Sequence, residues 1–80
     1  MRLDKFLKVS RIIKRRTVAN EACDASHICV NDRQAKASYD VKVGDVIEVT
    51  FGERTLKVRV LDVKDYTAKA DASSLYEVIS

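Results

Sequence analysis

Leu3, Phe6 and Leu7 follow the i, i+3, i+4 spacing that lines one side of an α-helix, while Arg2, Asp4, Lys5 and Lys8 project from the other. This spacing predicts a short amphipathic helix. Extending the stripe would bring Ser10, Ile13, Lys14 and Thr17 inward, three of them polar, so the chain is expected to turn between about Val9 and Arg15. A second helix is predicted from Arg16 to Ala25, with Val18, Ala19, Ala22, Cys23 and Ala25 inward; mostly small, they would let two helices approach closely.

After Ala25 the period changes. Ser26-His27 reads as a turn, Ile28-Cys29-Val30 as a brief strand, and Asn31-Asp32 as the left-handed-tolerant pair of a tight hairpin leading into a strand over Arg33 to Ala37. Ser38-Tyr39-Asp40 and Gly44-Asp45 punctuate a loop with Val41 and Val43 turned inward. Val46 to Phe51 alternates, putting Ile47, Val49 and Phe51 on one face. Gly52-Glu53 turns the chain into a partner strand carrying Leu56, Val58 and Val60 inward and Lys57 and Arg59 outward, with Asp62-Val63 as a possible extension. Lys64 to Ser73 is polar and alanine-rich, a loop with helical tendency, and Leu75 to Ile79 closes the sheet. Helices first and strands after predict an α+β domain in which a helical pair packs on a small curved antiparallel sheet.

Charge changes this picture. From Arg2 to Arg16 there are seven basic residues, Arg2, Lys5, Lys8, Arg11, Lys14, Arg15 and Arg16, and one acid, a formal +6; the other residues carry eight basic and eleven acidic groups, a formal −3. The net +3 therefore hides a polarised molecule, and a one-sided basic field suits a polyanion. The simpler reading is a solvated helix face. Against it stands the second helix, whose N-terminus already carries partial positive charge from unpaired N–H groups and yet is given Lys14, Arg15 and Arg16. A bound phosphate would turn that local cost into an attraction.

Composition narrows the classes further. Eighty residues with no Pro and two Gly fit one domain, too small for a second core, and no substrate-sized cavity is expected. No apolar run of signal-peptide or membrane-spanning length appears, which points to the cytoplasm. Cys23 and Cys29 read as reduced, packed thiols. Together with His27 they lack the fourth ligand of a structural zinc, so no metal or other cofactor is expected. The single His has no evident acid or nucleophile partner and no phosphate-cradling glycine loop is present, so no enzyme is expected. Asp4 and Lys8 have the spacing of an i, i+4 ion pair that would orient the basic side chains. Among the tyrosines, Tyr76 reads as core and Tyr39, beside Lys36 and Ser38, as a candidate base-stacking residue.

The run MRLDKFLKVSRIIKRRTVANEA, followed by an I-x-V-N strand, then QAKAS and V-K-V-G-D-V-I-E-V, resembles the RNA-binding domain named after ribosomal protein S-four, the alpha-L motif. Within that superfamily the chain is most similar to the small stand-alone RqcP-like or YabO-like bacterial proteins, relatives of the heat-shock ribosome-binding protein. The resemblance implies an RNA-binding surface on the helical pair and adjoining hairpin. The target would be rRNA of a large ribosomal subunit obstructed by peptidyl-tRNA, and the protein would work beside an RqcH-type factor that adds alanine tails to stalled chains. It also implies that Arg2, Lys5, Arg11, Lys14, Arg15, Arg16 and Thr17 are helical RNA contacts, with Asn31, Lys36 and Ser38 contributing from the hairpin side; Lys8, on the helix face of Arg2 and Lys5, joins them by its charge. A monomer is expected.

Two positions depart from the motif, since Ser26 and Asp32 stand where glycine is usual; a left-handed backbone there would strain Ser26 more than Asp32. His27 replaces a common basic residue, so charge there would vary with pH. The competing readings are a DNA-binding helix-turn-helix protein, with the second helix as reader, a general rRNA- or tRNA-binding assembly factor, and an adaptor whose basic stretch meets an acidic protein. Few base-reading side chains on that helix and no clear dimer interface weigh against DNA.

Overall fold

A computed structural model describes residues 1–25, 27–64 and 69–79. Helix α1 spans Leu3–Val9 and α2 spans Arg16–Asp24. They are followed by β1 (Ile28–Val30), β2 (Arg33–Gln34), β3 (Val46–Phe51), β4 (Arg54–Val60), a 3₁₀ helix (Lys69–Leu75) and β5 (Tyr76–Val78). The strands form an open antiparallel sheet in the order β2-β1-β3-β4-β5, in keeping with the expected α+β architecture of a helical pair on a small antiparallel sheet.

The apolar periods meet in one core. Leu3, Phe6 and Leu7 of α1 and Ala19 and Cys23 of α2 are buried together with Ile28, Val30, Ile47, Val49, Val58 and Val60, which alternate along β1, β3 and β4. Register keeps them on one face: Ile28 lies opposite Val49, Val30 opposite Ile47, and Ile47 opposite Val58. Tyr76 is half-buried against this core. Ile13, in the turn between the helices, is buried as well, and its N–H donates to the Leu7 carbonyl.

Several expectations are corrected. Val18 is 46% exposed and Ala25 is also exposed, because α2 meets its neighbours through the narrower Ala19/Cys23 stripe. Val43 is 64% exposed. Val43 and Gly44 form a tight turn, closed by the Asp45 N–H donating to the Lys42 carbonyl, in which Gly44, at φ +94°, donates its N–H to the Val60 carbonyl; the turn breaks the alternation that Val41 begins. The strand expected over Arg33 to Ala37 stops at Gln34, though Ala35 and Ala37 remain buried, and β4 ends at Val60. Asn31 and Asp32 have φ of +53° and +66°, the two positive values of the tight hairpin turn expected there. The expectations for Ser26, for residues 65–68 of the polar loop and for the side chain of Phe51 lie outside the described residues.

Candidate nucleic-acid interface

Helix α1 begins without a capping side chain, since Arg2 occupies its N-cap. Its first N–H groups still need acceptors. The Leu3 and Asp4 N–H groups donate to the Tyr39 and Ala37 carbonyls at 2.8 and 3.2 Å, while Val41 donates its N–H to the Met1 carbonyl at 2.8 Å. The N-terminal ammonium meets Asp40 Oδ1 at 2.7 Å and lowers the pKa of that carboxyl. A loop distant in sequence is thereby laid against the start of α1. This brings Lys36 and Ser38 beside Arg2.

Asp4 joins the two helices. Its side chain is 3% exposed, yet it sits at the edge of the apolar stripe, three residues before Leu7. It accepts from Arg2 Nε at 3.1 Å and Nη2 at 3.4 Å, from Arg16 Nε at 3.3 Å, from Asn20 Nδ2 at 3.5 Å and from the Lys5 N–H at 2.8 Å. Burial pushes the carboxyl pKa up, but the hydrogen bonds from Arg2, Asn20, the Lys5 N–H and Arg16 outweigh it and hold the group below its ordinary value. The expected partner, Lys8, is replaced by Arg2 and Arg16 because the carboxylate faces α2 rather than solvent.

Two depressions flank this junction, and Asn20 lines both. One is walled by Arg2, Asp24, Gln34, Lys36 and Ser38, the other by Asp4, Arg16, Thr17 and Glu21. The structure thus gathers Arg2, Arg16, Thr17, Lys36 and Ser38 from three stretches of sequence. Lys14 and Arg15 sit at the entrance to α2, around a shallow apolar depression lined by Ile12, Ile13 and Val18. Arg15 is the extended N-cap of α2, with no side-chain cap, and the first turn has no acid, as the charge pattern indicated. Lys5, Lys8 and Arg11 line neither depression beside Asp4.

Arg11 is exposed in a left-handed conformation, φ +62°, just past the end of α1, where its N–H donates to the Lys8 carbonyl at 3.0 Å. Glycine is the usual occupant of that position, and an L side chain there costs roughly 1–2 kcal/mol. A basic side chain is therefore displayed at the expense of local strain.

Asn31 lies elsewhere. Its amide nitrogen donates to Asp45 Oδ1 at 3.1 Å and its amide oxygen accepts the Val46 N–H at 3.0 Å, so the side chain ties the β1–β2 turn to the start of β3. Tyr39 donates its hydroxyl to Asp45 Oδ2 at 2.9 Å; that bond, burial and the nearby Asp45 and Asp40 raise its pKa. Its ring packs partly against the core. Cys23 is buried, and burial, with the neighbouring Asp4 and Asp24, pushes its thiol up to about 11, so it stays protonated. Sequence reasoning missed Asn20 and the bridging role of Asp4. The signal for Asn20 was its i+4 spacing from Arg16 on one face of α2.

A basic helical pair seated on an open antiparallel sheet has a counterpart among known families. Residues 1–47 match the S4 domain, a span holding all the basic residues just described, and the chain belongs to that family. At the level of whole proteins it is similar to the RQC P-site tRNA stabilizing factor of Streptococcus pneumoniae, 59% identical over 100% of this chain and 91% of the relative, and to that of Bacillus subtilis, 53% identical over 99% and 92%. In structure it is similar to the heat shock protein 15 of Vibrio cholerae, described as trimeric, with a TM-score of 0.92 and 26% identity over 100% of this chain and 82% of that one.

Proposed function

We propose that the chain binds RNA on large ribosomal subunits obstructed by peptidyl-tRNA, holding the tRNA in place during ribosome-associated quality control. It acts by binding and not by catalysis. The observation that carries this reading is the pair of arginines, Arg2 from the start of α1 and Arg16 from the start of α2, gathered on one buried carboxylate beside Lys36 and Ser38. Two guanidinium groups and a lysine on a shared face offer the planar, multidentate donors that phosphates accept. Lys14, Arg15 and Arg11 extend that field, and Thr17 adds a hydroxyl at the helix start. Lys5 and Lys8 add longer-range attraction from α1. The names of the similar proteins from S. pneumoniae and B. subtilis supply the ribosomal P-site setting. A single copy on the subunit leaves an RqcH-type factor free to extend the stalled chain with alanine, and the protein is cytoplasmic.

The test is co-sedimentation with large subunits with and without peptidyl-tRNA. The native protein is expected to pellet preferentially with obstructed subunits, and Arg16→Glu to remain in the supernatant while keeping its circular dichroism spectrum. Equal pelleting of both proteins would overturn the site. With four or five phosphates contacted, the plot of log K against log salt has a slope of roughly −3 to −4. Competition by duplex DNA but not by tRNA would favour the DNA-binding reading.

A further inference from the structure

Among the described residues Asp4 is the one buried charged side chain, and it is the one acid among seven cations in the stretch from Arg2 to Arg16. On charge alone it opposes RNA binding, because a carboxylate repels phosphates. Its geometry indicates what offsets that repulsion. Arg16 bonds to it through Nε, and Arg2 through Nε and Nη2, so the outer edges of both guanidinium groups extend beyond the carboxylate. About half of each side chain remains at the surface, 51% for Arg2 and 48% for Arg16. Asn20 closes the ring of donors, and the Lys5 N–H fixes the carboxylate to the backbone of α1.

We propose that Asp4 is a positioning residue for RNA binding, fixing Arg2 and Arg16 in advance at the spacing and tilt in which their outer nitrogens meet phosphates. The inference rests on the RNA-binding reading of this face. Arginine side chains lose rotamer freedom when they bind; a carboxylate that restrains them beforehand removes part of that loss from the binding step. The same carboxylate fixes the relation of α1 to α2, so the two cations act as one unit.

The experiment measures binding of Asp4→Asn to large ribosomal subunits carrying peptidyl-tRNA across a salt series, beside NMR spectra of the arginine Nε–H groups in the unbound protein. Asparagine keeps the shape and removes one negative charge. Pure electrostatics predicts tighter binding. Positioning predicts binding weaker by about tenfold, a salt slope shallower by about 1 to 2, and Arg2 and Arg16 signals moved to those of unrestrained arginine. Equal or tighter binding by Asp4→Asn overturns the proposal. Should that variant fail to fold, Asp4→Glu keeps the negative charge and both arginines but moves the carboxylate by one methylene; weaker binding with displaced Arg2 and Arg16 signals supports positioning, and unchanged affinity overturns it. Arg16→Glu in parallel separates the two levels. If it still binds, the RNA-binding face itself is wrong, whereas loss of its binding with tighter binding by Asp4→Asn removes only the positioning role.

Discussion

The β3–β4 hairpin and the α1–α2 pair belong to one small core but obey different rules. In the hairpin, Ile47 faces Val58, Val49 faces Leu56 and Glu48 faces Lys57, so apolar groups meet apolar groups and opposite charges stand across from one another. In the helical pair, α1 starts on an arginine, an acid is buried at its edge, an arginine holds a left-handed backbone after its end, and α2 starts among cations without a cap. Departures from local preference gather on the side carrying the proposed RNA contacts. The sheet supplies stability that the helical side can draw down.

The strongest way to test this division is to damage the regular half. Ile47→Ala, at a fully buried position, is expected to cost about 2–5 kcal/mol in urea unfolding while the remaining folded protein binds ribosomal subunits unchanged. Weaker binding per folded molecule would mean the halves are not separable. Asn31→Ala removes both amide bonds of the brace to Asp45 and Val46, with an expected loss of about 1–2 kcal/mol in stability and little change in RNA affinity. A large affinity loss at unchanged stability would instead identify Asn31 as an RNA contact. Arg11→Gly reverses the pattern: relief of the left-handed strain is expected to add about 0.5–1 kcal/mol of stability, read as a higher melting temperature, while binding weakens through the missing cation.

The smallest effect is that of acid. Asp4 and Asp40 both hold their carboxyls below the ordinary value, so near pH ~4 the folded chain takes up fewer protons than the unfolded one. Their contributions are complete above about pH 5 and are lost as the pH falls through the folded values. The urea midpoint should accordingly be flat at higher pH and decline on the acid side, with a shallower decline in Asp4→Asn.

Helix starts, strand alternation and the hairpin turn were legible because they depend on neighbours a few residues apart. Leu3, Phe6 and Leu7 announce α1, and Asn31-Asp32 announces its turn by the ease with which both adopt positive φ. Asp4 was misread for the same reason. The i, i+4 rule offers Lys8, whereas Arg16 becomes a partner only once α2 has packed against α1. Val18 and Val43 show the matching limit of apolar identity: each is apolar, but the packing stripe on α2 and the turn at Gly44 decide their exposure. Arg2, Lys36 and Ser38 could be named from the motif, but their shared groove depends on the long-range pairing of the 37–41 loop with the chain start.

That loop seals the beginning of α1 with the main-chain oxygens of Ala37 and Tyr39. The sealing atoms belong to the main chain, while Asp40 and the buried Ala37 and Val41 hold the loop in place. Position 38 is exposed and can therefore change identity without loosening the helix it holds. Under the proposed RNA-binding reading, the fold therefore sets a replaceable side chain beside Arg2, whose place at the start of α1 is held by the main chain.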